Sequence, residues 1–191
     1  MKIAIMQPYF LPYIGYFQLV KAVDKFIFLD DVNFIKKGWI NRNQLKDNFK
    51  FAIPLKHQSQ NKLIKDIKIK WNDKLIIKFR KNLSRLYCKS PQFDLINSML
   101  DKIMCNQYES ISELAITSIT DFSKYLNIKT EFKISSKEKY LKSRNRIENI
   151  INICKKEGAD IYLNLPRGKK IYSKKDFTDR KIQLGFLNTI D

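Results

Sequence analysis

The chain has 191 residues, of which 44% are hydrophobic, enough for one domain with a sizeable core. Its 37 basic and 19 acidic residues give a net charge of +18, which favours anionic partners. The three cysteines, Cys88, Cys105 and Cys154, have no C-x-x-C spacing, which argues against disulfides and a zinc site. No signal-peptide pattern opens the chain, and no apolar run approaches the roughly 18 residues that span a membrane. We therefore expect a soluble, cytoplasmic protein; the sequence leaves a homo-oligomer open.

The first 71 residues predict mainly strands. Residues 3–6 and 25–29 are short apolar runs, which indicate two parallel strands joined by a helix over 15–22. Residues 40–45 and 49–55 predict a hairpin that turns at Asp47-Asn48. Isoleucine alternates with charged residues over 64–71, and this alternation predicts a half-buried strand.

From Asn72 onward the pattern is mostly helical. The pattern predicts three helices in succession. Asn72 or Asp73 caps the first, which runs to about Cys88, and Ser90-Pro91 begins the second, which ends near Asn106. The third covers residues 109–126. Strands over 131–134, 160–163 and 182–186 and a helix over 144–156 complete the chain. The predicted fold class is α/β, an open, largely parallel sheet with a β-hairpin and a helical insertion. We expect one domain over 1–191, with residues 72–127 as the insertion or subdomain.

Two carboxylates follow the second predicted strand. Asp30 and Asp31 stand at the end of a strand where α/β proteins bind ligands. A carboxylate there can be a general base, assist a metal, or clamp sugar hydroxyls or an amine. The alternative is a loop cap or a salt bridge to Lys36, Lys37 or Arg42. No histidine or cysteine has ligand spacing beside them, so no metal site is predicted.

The next segment holds hydrogen-bond donors around one tryptophan: Lys36, Lys37, Trp39, Asn41, Arg42 and Asn43. The arginine offers a bidentate fork for phosphate, and the asparagines add neutral donors and acceptors. The tryptophan can stack on a base or a sugar. This set predicts phosphate binding, and an ordinary basic hairpin with a core tryptophan is the alternative.

The turn after the first strand collects Gln7, Tyr13, Gly15 and Tyr16 as further binding candidates. Prolines fix the shape of this turn, which suits a preorganised pocket. Gly15 can let a phosphate approach the N-terminus of the following helix. Tyr16 can instead pack inward as an ordinary helix residue.

Two longer blocks carry a family resemblance. Residues 7–17 read Gln7-Pro-Tyr-Phe-Leu-Pro-Tyr-Ile-Gly-Tyr-Phe17, and residues 29–43 read Leu29-Asp-Asp-Val-Asn-Phe-Ile-Lys-Lys-Gly-Trp-Ile-Asn-Arg-Asn43. With weaker matches further on, they resemble the WbqC-like family over nearly the whole chain. The resemblance implies a cytoplasmic bacterial protein, encoded among genes for O-antigen, capsule or other surface polysaccharides. Where relatives usually show two glycines after the Tyr-x-Asn strand, here Tyr162-Leu-Asn164, this chain has Arg167-Gly168, so Arg167 can supply charge there instead.

The opening also resembles, more faintly, nucleotidyl-transferase-type α/β folds. Their His-x-Gly-His turn corresponds here to Tyr13-Ile-Gly15-Tyr16. Tyrosine does not replace histidine as the acid and phosphate donor, so adenylation by the usual route is not implied.

Three functions follow from these observations. The leading one is an enzyme of surface-polysaccharide biosynthesis that transfers or activates an acyl or aminoacyl group for a nucleotide-linked amino sugar. In it, Lys36, Lys37 and Arg42 hold the phosphates. Trp39 or Tyr13 stacks on the nucleotide, and Asp30 or Asp31 is the general base. The cofactor is unknown, and the expected ligand is an anionic, nucleotide-linked small molecule.

The other two functions come from different classes. An RNA (tRNA)-binding module is favoured by residues 36–90, which hold 16 basic and 3 acidic side chains, a charge of +13. A non-catalytic accessory protein of a polysaccharide-assembly machine is the third, and it would tolerate Asp30→Ala and Arg42→Ala.

Overall fold

A computed structural model describes residues 1–189. The described chain forms two compact units. The first holds Met1–Pro8, Pro12–Asp31 and the chain from Thr120 onward; the second holds Tyr9–Leu11 and Val32–Ile119. The single domain with an insertion over 72–127 stays a prediction.

The elements below are numbered in chain order. The strands are β1 (Lys2–Met6), β2 (Lys25–Phe28), β3 (Arg42–Gln44), β4 (Lys50–Ala52), β5 (Glu131–Ile134), β6 (Ile161–Asn164) and β7 (Gln183–Phe186). The helices are α1 (Ile14–Lys21), α2 (Asp73–Tyr87), α3 (Phe93–Cys105), α4 (Ile111–Tyr125), α5 (Arg146–Lys156) and α6 (Lys174–Thr178).

The first unit is built on a five-stranded parallel sheet. Its strand order is β5-β2-β1-β6-β7, and each neighbouring pair is parallel. In the register, Ile5 lies opposite Ile27, and Tyr162 opposite Leu184. The central strands are apolar at consecutive positions, as expected when helices cover both faces of a parallel sheet. The predicted α/β fold with a largely parallel sheet is confirmed.

Helices and a shared core complete the first unit. Asn145 caps α5, because its side-chain oxygen accepts hydrogen bonds from the backbone amides of Ile147 and Glu148. The apolar side of α5 packs into a core with β1, β6 and β7, in which Ile150, Cys154 and Tyr162 are at most 1% exposed. This core fixes the strands whose ends carry the candidate residues.

The second unit combines a hairpin with helices. Strands β3 and β4 pair antiparallel, and Asp47 and Asn48 between them have φ of 55° and 56°. Both residue types tolerate the left-handed region, so the predicted turn is confirmed. Asn72 caps α2 by accepting a hydrogen bond from the amide of Lys74, as predicted. Helix α3 lies wholly in this unit, and α4 begins in it.

One local prediction is corrected, and one short helix was missed. Residues 64–71 form no regular strand; Ile64–Asp66 is a 3₁₀ turn, and the rest makes only isolated bridges such as Leu55 to Ile69. Helix α6 was not predicted, because it has only five residues and four of those five are charged or polar. No helix within residues 1–189 has the length and apolar character needed to cross a membrane.

Candidate functional site at the carboxyl edge of the sheet

The carboxyl ends of the five parallel strands lie at one edge of the first unit. Strand β1 lies beside β6, and the chain proceeds outward in opposite directions from this pair, from β1 to β2 and from β6 to β7. Open α/β sheets bind ligands outside the carboxyl ends of the strands at such a switch point. The residues that follow β1 and β6 are therefore the first candidates.

Tyr13 and Gly15 form the start of α1 at this switch point. Tyr13 is the N-cap residue and is 51% exposed. A Cβ atom on Gly15 would lie 2.5 Å from Cε2 of Tyr13 and 2.9 Å from Cγ2 of Thr189, so glycine lets both side chains pack closely. The Tyr13 ring thus covers Gly15 and presents the aromatic surface of the turn.

Arg167 brings positive charge to the same turn. It is exposed on the 3₁₀ turn Pro166–Lys170 that follows β6. Partial burial raises the pKa of Tyr13, and the charge of Arg167 offsets part of that increase, so the two groups interact electrostatically. Gly168 allows this turn to approach the strand, because its Cβ would lie 2.9 Å from Cγ of Asn164. The structure therefore places two predicted residues, Tyr13 and Arg167, at the same edge of the sheet.

Three other predicted residues form hydrogen bonds within the protein, namely Gln7, Tyr16 and Asn164. Tyr16 is 1% exposed and its hydroxyl donates to the backbone carbonyl of Gln7 at 3.0 Å. Burial holds the pKa of Tyr16 well above its usual value. Asn164 donates to the hydroxyl of Tyr162 and accepts from the amide of Leu165, both at 2.7 Å. These contacts shape the edge from inside, and the predicted binding roles of the three residues stay predictions.

Asp30 ties the end of β2 to the turn after β5. It is 3% exposed; its Oδ1 accepts from the Ser136 amide at 2.9 Å and its Oδ2 from the Ser136 hydroxyl at 2.7 Å. Hydrogen bonds to a carboxylate are among the stronger ones in proteins. Because both oxygens bind the same serine, this contact orients two neighbouring strand ends.

Asp31 has one oxygen that the protein leaves unpaired. Its side chain is 9% exposed and its Oδ2 accepts a hydrogen bond from Nζ of Lys142. Its Oδ1 is buried and has no hydrogen-bond partner within residues 1–189. A buried oxygen without a donor raises the free energy of the folded state, and a donor on a ligand would remove that cost. Asp31 is thus the one of the two aspartates with a carboxylate oxygen that lacks a hydrogen-bond donor within residues 1–189.

The second unit holds the remaining predicted residues, three of which brace a loop. Asn41 donates to the carbonyl of Ile53 at 2.8 Å, and Asn43 donates to the carbonyl of Leu11. Arg42 donates through Nε to the carbonyl of Gly38 at 3.1 Å and through its terminal nitrogen to that of Lys37. All three side chains thus form hydrogen bonds to backbone carbonyls of the second unit, and ligand binding by them stays a prediction.

Lys36, Lys37 and Trp39 lie on the outside of that loop. All three are exposed, Trp39 at 53%. No salt bridge of either lysine occurs within the described part of the chain. The loop therefore presents two cations and one aromatic face to solvent.

The sequence alone did not single out Ser136, Lys142 or Thr189 as site residues. Ser136 follows β5, so the rule that parallel strands end at a common edge was a usable signal for it. Lys142 belongs to no motif, and its contact with Asp31 spans 111 positions. Within residues 1–189 no group of three or more His, Cys, Asp or Glu side chains is arranged to hold a metal ion.

Comparison with known proteins decides the family. The model of the WbqC-like protein family matches residues 7–191, nearly the whole chain. This chain belongs to the WbqC-like protein family. It is also similar to Rv1507c, an uncharacterized protein of Mycobacterium tuberculosis, with 26% identity over 188 residues, 96% of this chain and 80% of the relative. No solved structure matches.

The two blocks that carried the resemblance have structural counterparts in this WbqC-like protein. Residues 12–17 supply Tyr13 and Gly15 at the switch point of the first unit. Residues 29–31 end β2 with the two aspartates, and residues 32–43 form the exposed basic loop of the second unit. Both blocks thus coincide with loops that follow parallel strands.

Proposed function

We propose that this WbqC-like protein is an enzyme of bacterial surface-polysaccharide biosynthesis that acts on a nucleotide-linked amino sugar. The reaction is transfer of an acyl or aminoacyl group to the sugar amine. The polysaccharide setting is supported by the family resemblance alone. The binding mode is supported by one observation: Tyr13 and Arg167 follow β1 and β6, the two strands that flank the switch point of the parallel sheet.

The cationic and aromatic groups at the switch point suit a nucleotide. The guanidinium of Arg167 presents paired donors that fit a phosphate, and the exposed ring of Tyr13 offers a stacking surface for a base or sugar. Tyr13 and Arg167 follow the neighbouring strands β1 and β6, so one ligand at this edge of the sheet can contact both side chains. Arg167 is therefore the phosphate-binding residue of the proposal.

The unpaired oxygen of Asp31 suits the chemical step. The sugar amine attacks the acyl carbon of an activated donor such as a thioester, and the thiolate departs. The amine loses one proton in this step, and a carboxylate in contact with it can accept that proton. Asp31 is the candidate acceptor, and its contact with Lys142 holds the carboxylate at the end of β2.

Thermal denaturation with a panel of nucleotides and nucleotide-linked sugars tests the binding step. A ligand at 100 times its Kd stabilises the folded state by about 2.7 kcal/mol, which raises the Tm of a protein of this size by roughly 5 to 10 °C. We expect a shift with at least one nucleotide-linked amino sugar and loss of that shift in Arg167→Ala. The matched control is Arg180→Ala, because Arg180 is an exposed arginine that precedes β7 and pairs with Glu148 at 3.5 Å.

Mass spectrometry of the sugar nucleotide after incubation with an acyl thioester tests the transfer step. We expect Asp31→Asn to keep the thermal shift and lose acyl transfer. Absence of a thermal shift with the whole panel at millimolar concentration, or an equal loss in Arg180→Ala, would contradict the proposal.

A second candidate function is binding of single-stranded RNA. It is favoured by the exposed ring of Trp39, which lies in the same loop as two exposed lysines. Proteins of that class combine aromatic stacking surfaces with cations that follow the phosphates. Trp39→Ala should then weaken binding of a short RNA about tenfold, since stacking contributes roughly 1 to 3 kcal/mol per base. The control is Ile35→Ala, a nearby residue that is 46% exposed. Fluorescence anisotropy at several salt concentrations measures both effects, and a salt-independent Kd would exclude this candidate.

A further inference from the structure

A groove in the second unit is not part of the site above. It lies among β4 and its flanking residues, α2 and α3, and has a volume of about 180 Å³. It is lined by Phe49, Lys50, Phe51, Ala52, Ile53, Leu75, Lys78, Phe79 and Met104. Seven of these nine side chains are apolar, so the groove favours an apolar occupant.

Aromatic contacts hold the walls of the groove in place. The rings of Phe51 and Phe79 have centroids 5.0 Å apart at an interplanar angle of 57°, and Phe10 packs edge-on against Phe51 at 6.2 Å. Met104 is 2% exposed and contributes its flexible side chain to the lining. A preformed apolar site of this kind binds without ordering its own side chains.

The two polar lining residues have the same charge. Lys50 and Lys78 are both exposed, and neither has a salt bridge within residues 1–189. No acidic side chain lines the groove. An apolar occupant that carries a negative charge would therefore match both the lining and the two lysines.

We propose that this groove binds a short acyl or alkyl chain with an anionic head group. The chain lies against the phenylalanines and Met104, and the head group lies between Lys50 and Lys78. The volume of about 180 Å³ is below the roughly 300 to 1,000 Å³ of sites for drug-sized ligands, so it suits a chain of medium length. The inference does not depend on the proposed function, because every lining residue belongs to the second unit.

The probes are octanoate, octyl phosphate and octanol. Octanoate and octyl phosphate have the same alkyl portion and differ in the head group, a carboxylate or a phosphate. The probe with the lower Kd identifies the preferred head group. Octanol has the chain without the charge. Methyl NMR of protein labelled at the methionine methyl carbon reports on the groove directly, because Met104 lines it. Met99 on the same helix does not line it and is the internal reference.

Two variants separate the chain contact from the charge contact. Ala52→Ile adds side-chain volume at an exposed strand position in the groove, so we expect it to fill the site without loss of folding. The double change Lys50→Gln and Lys78→Gln removes both charges and keeps the lining. Lys81→Gln is the control, since Lys81 is exposed on α2 and does not line the groove.

We expect saturable shifts of the Met104 methyl with either anion, and a constant Met99 signal. Ala52→Ile should weaken binding of the anions about tenfold, which corresponds to about 1.4 kcal/mol. The double lysine variant should weaken the anions about fivefold and leave octanol unchanged. A Met104 signal that does not respond to the anions, an unchanged Kd in Ala52→Ile, or octanol binding as tight as octanoate would each overturn the proposal. A nucleotide response with no octanoate response would overturn this inference and leave the proposed function intact.

Discussion

Glu157 is the centre of a buried charge cluster in the first unit. Its side chain is 3% exposed and accepts hydrogen bonds from Nζ of Lys25 at 2.6 Å, Nζ of Lys133 at 3.1 Å and the hydroxyl of Tyr140 at 2.7 Å. Burial raises the pKa of Glu157, but the hydrogen bonds from Lys25, Tyr140 and Lys133 lower it more, to about 2. The cluster joins the end of α5 to β2 and β5, which makes it a determinant of stability.

Glu157→Gln should destabilise the protein by about 3 kcal/mol, because it removes the buried carboxylate that Lys25 and Lys133 share. The pKa of Glu157 falls from 4.5 to about 2 on folding, so its stabilisation is complete above pH of about 4.5 and is lost as the pH falls toward 2. Urea denaturation measures both effects. Glu109→Gln, in an exposed pair with Lys68 at 3.9 Å, is the control and should change stability by less than about 1 kcal/mol. Equal effects of the two changes would contradict this role of Glu157.

The aspartates show what the sequence can predict for single residues. Their position at the end of a strand followed from the apolar run before them. Their hydrogen-bond partners could not be predicted in the same way. The sequence suggested the nearby Lys36, Lys37 and Arg42, whereas in the structure Asp30 binds Ser136 and Asp31 binds Lys142. The pairing of β2 with β5 brings the distant serine to Asp30, and a single sequence holds no local signal for that pairing.

The hairpin of the second unit is specified locally, at the scale of one element. Asp47 and Asn48 both have positive φ, and the amide of Leu45 donates to the carbonyl of Phe49 at 2.8 Å to close the turn. Residues other than glycine, asparagine and aspartate pay roughly 1 kcal/mol or more for this conformation. The sequence could therefore predict the turn from these two residues alone.

Asp47→Gly should give a higher free energy of unfolding than Asp47→Ala. Glycine adopts φ of 55° without steric strain and should keep or slightly raise the free energy of unfolding. Alanine has a Cβ and lacks the local hydrogen bonding of aspartate, so it should lower that free energy by about 1 kcal/mol. Urea denaturation of the two variants, which both lack the carboxylate, measures the difference. The steric explanation fails if alanine is as stable as glycine.

The segment over 64–71 shows the limit of periodicity at the same scale. Its alternation correctly indicated burial, since Ile67 and Ile69 are buried and Lys68 and Lys70 are exposed. The alternation did not indicate whether the segment pairs continuously with one neighbouring strand. The amide of Ile69 bonds to the carbonyl of Glu109, while that of Lys70 bonds to Pro54, so the segment's partners change from one residue to the next. Alternation reports which side chains face a core, and it does not specify a continuous strand partner.

The net charge of +18 is a property of the whole molecule. Like charges in excess repel one another and destabilise the compact state, and added salt screens this repulsion. Buried pairs such as Glu157 with Lys25 are screened much less than exposed charges. Salt should therefore weaken the repulsion more than it weakens the attraction that supports the fold.

Raising potassium chloride from about 10 mM to about 150 mM shortens the Debye length from roughly 30 Å to 8 Å. We expect the Tm to rise by roughly 3 °C, which corresponds to about 1 kcal/mol for a protein of this size. The reason is that 37 basic residues face only 19 acidic ones, so the exposed surface is dominated by repulsion. Differential scanning calorimetry at constant pH measures the shift, and sucrose at equal osmolality controls for effects other than screening. A Tm that falls with salt would mean that attractive pairs, rather than the excess positive charge, dominate the electrostatic free energy of folding.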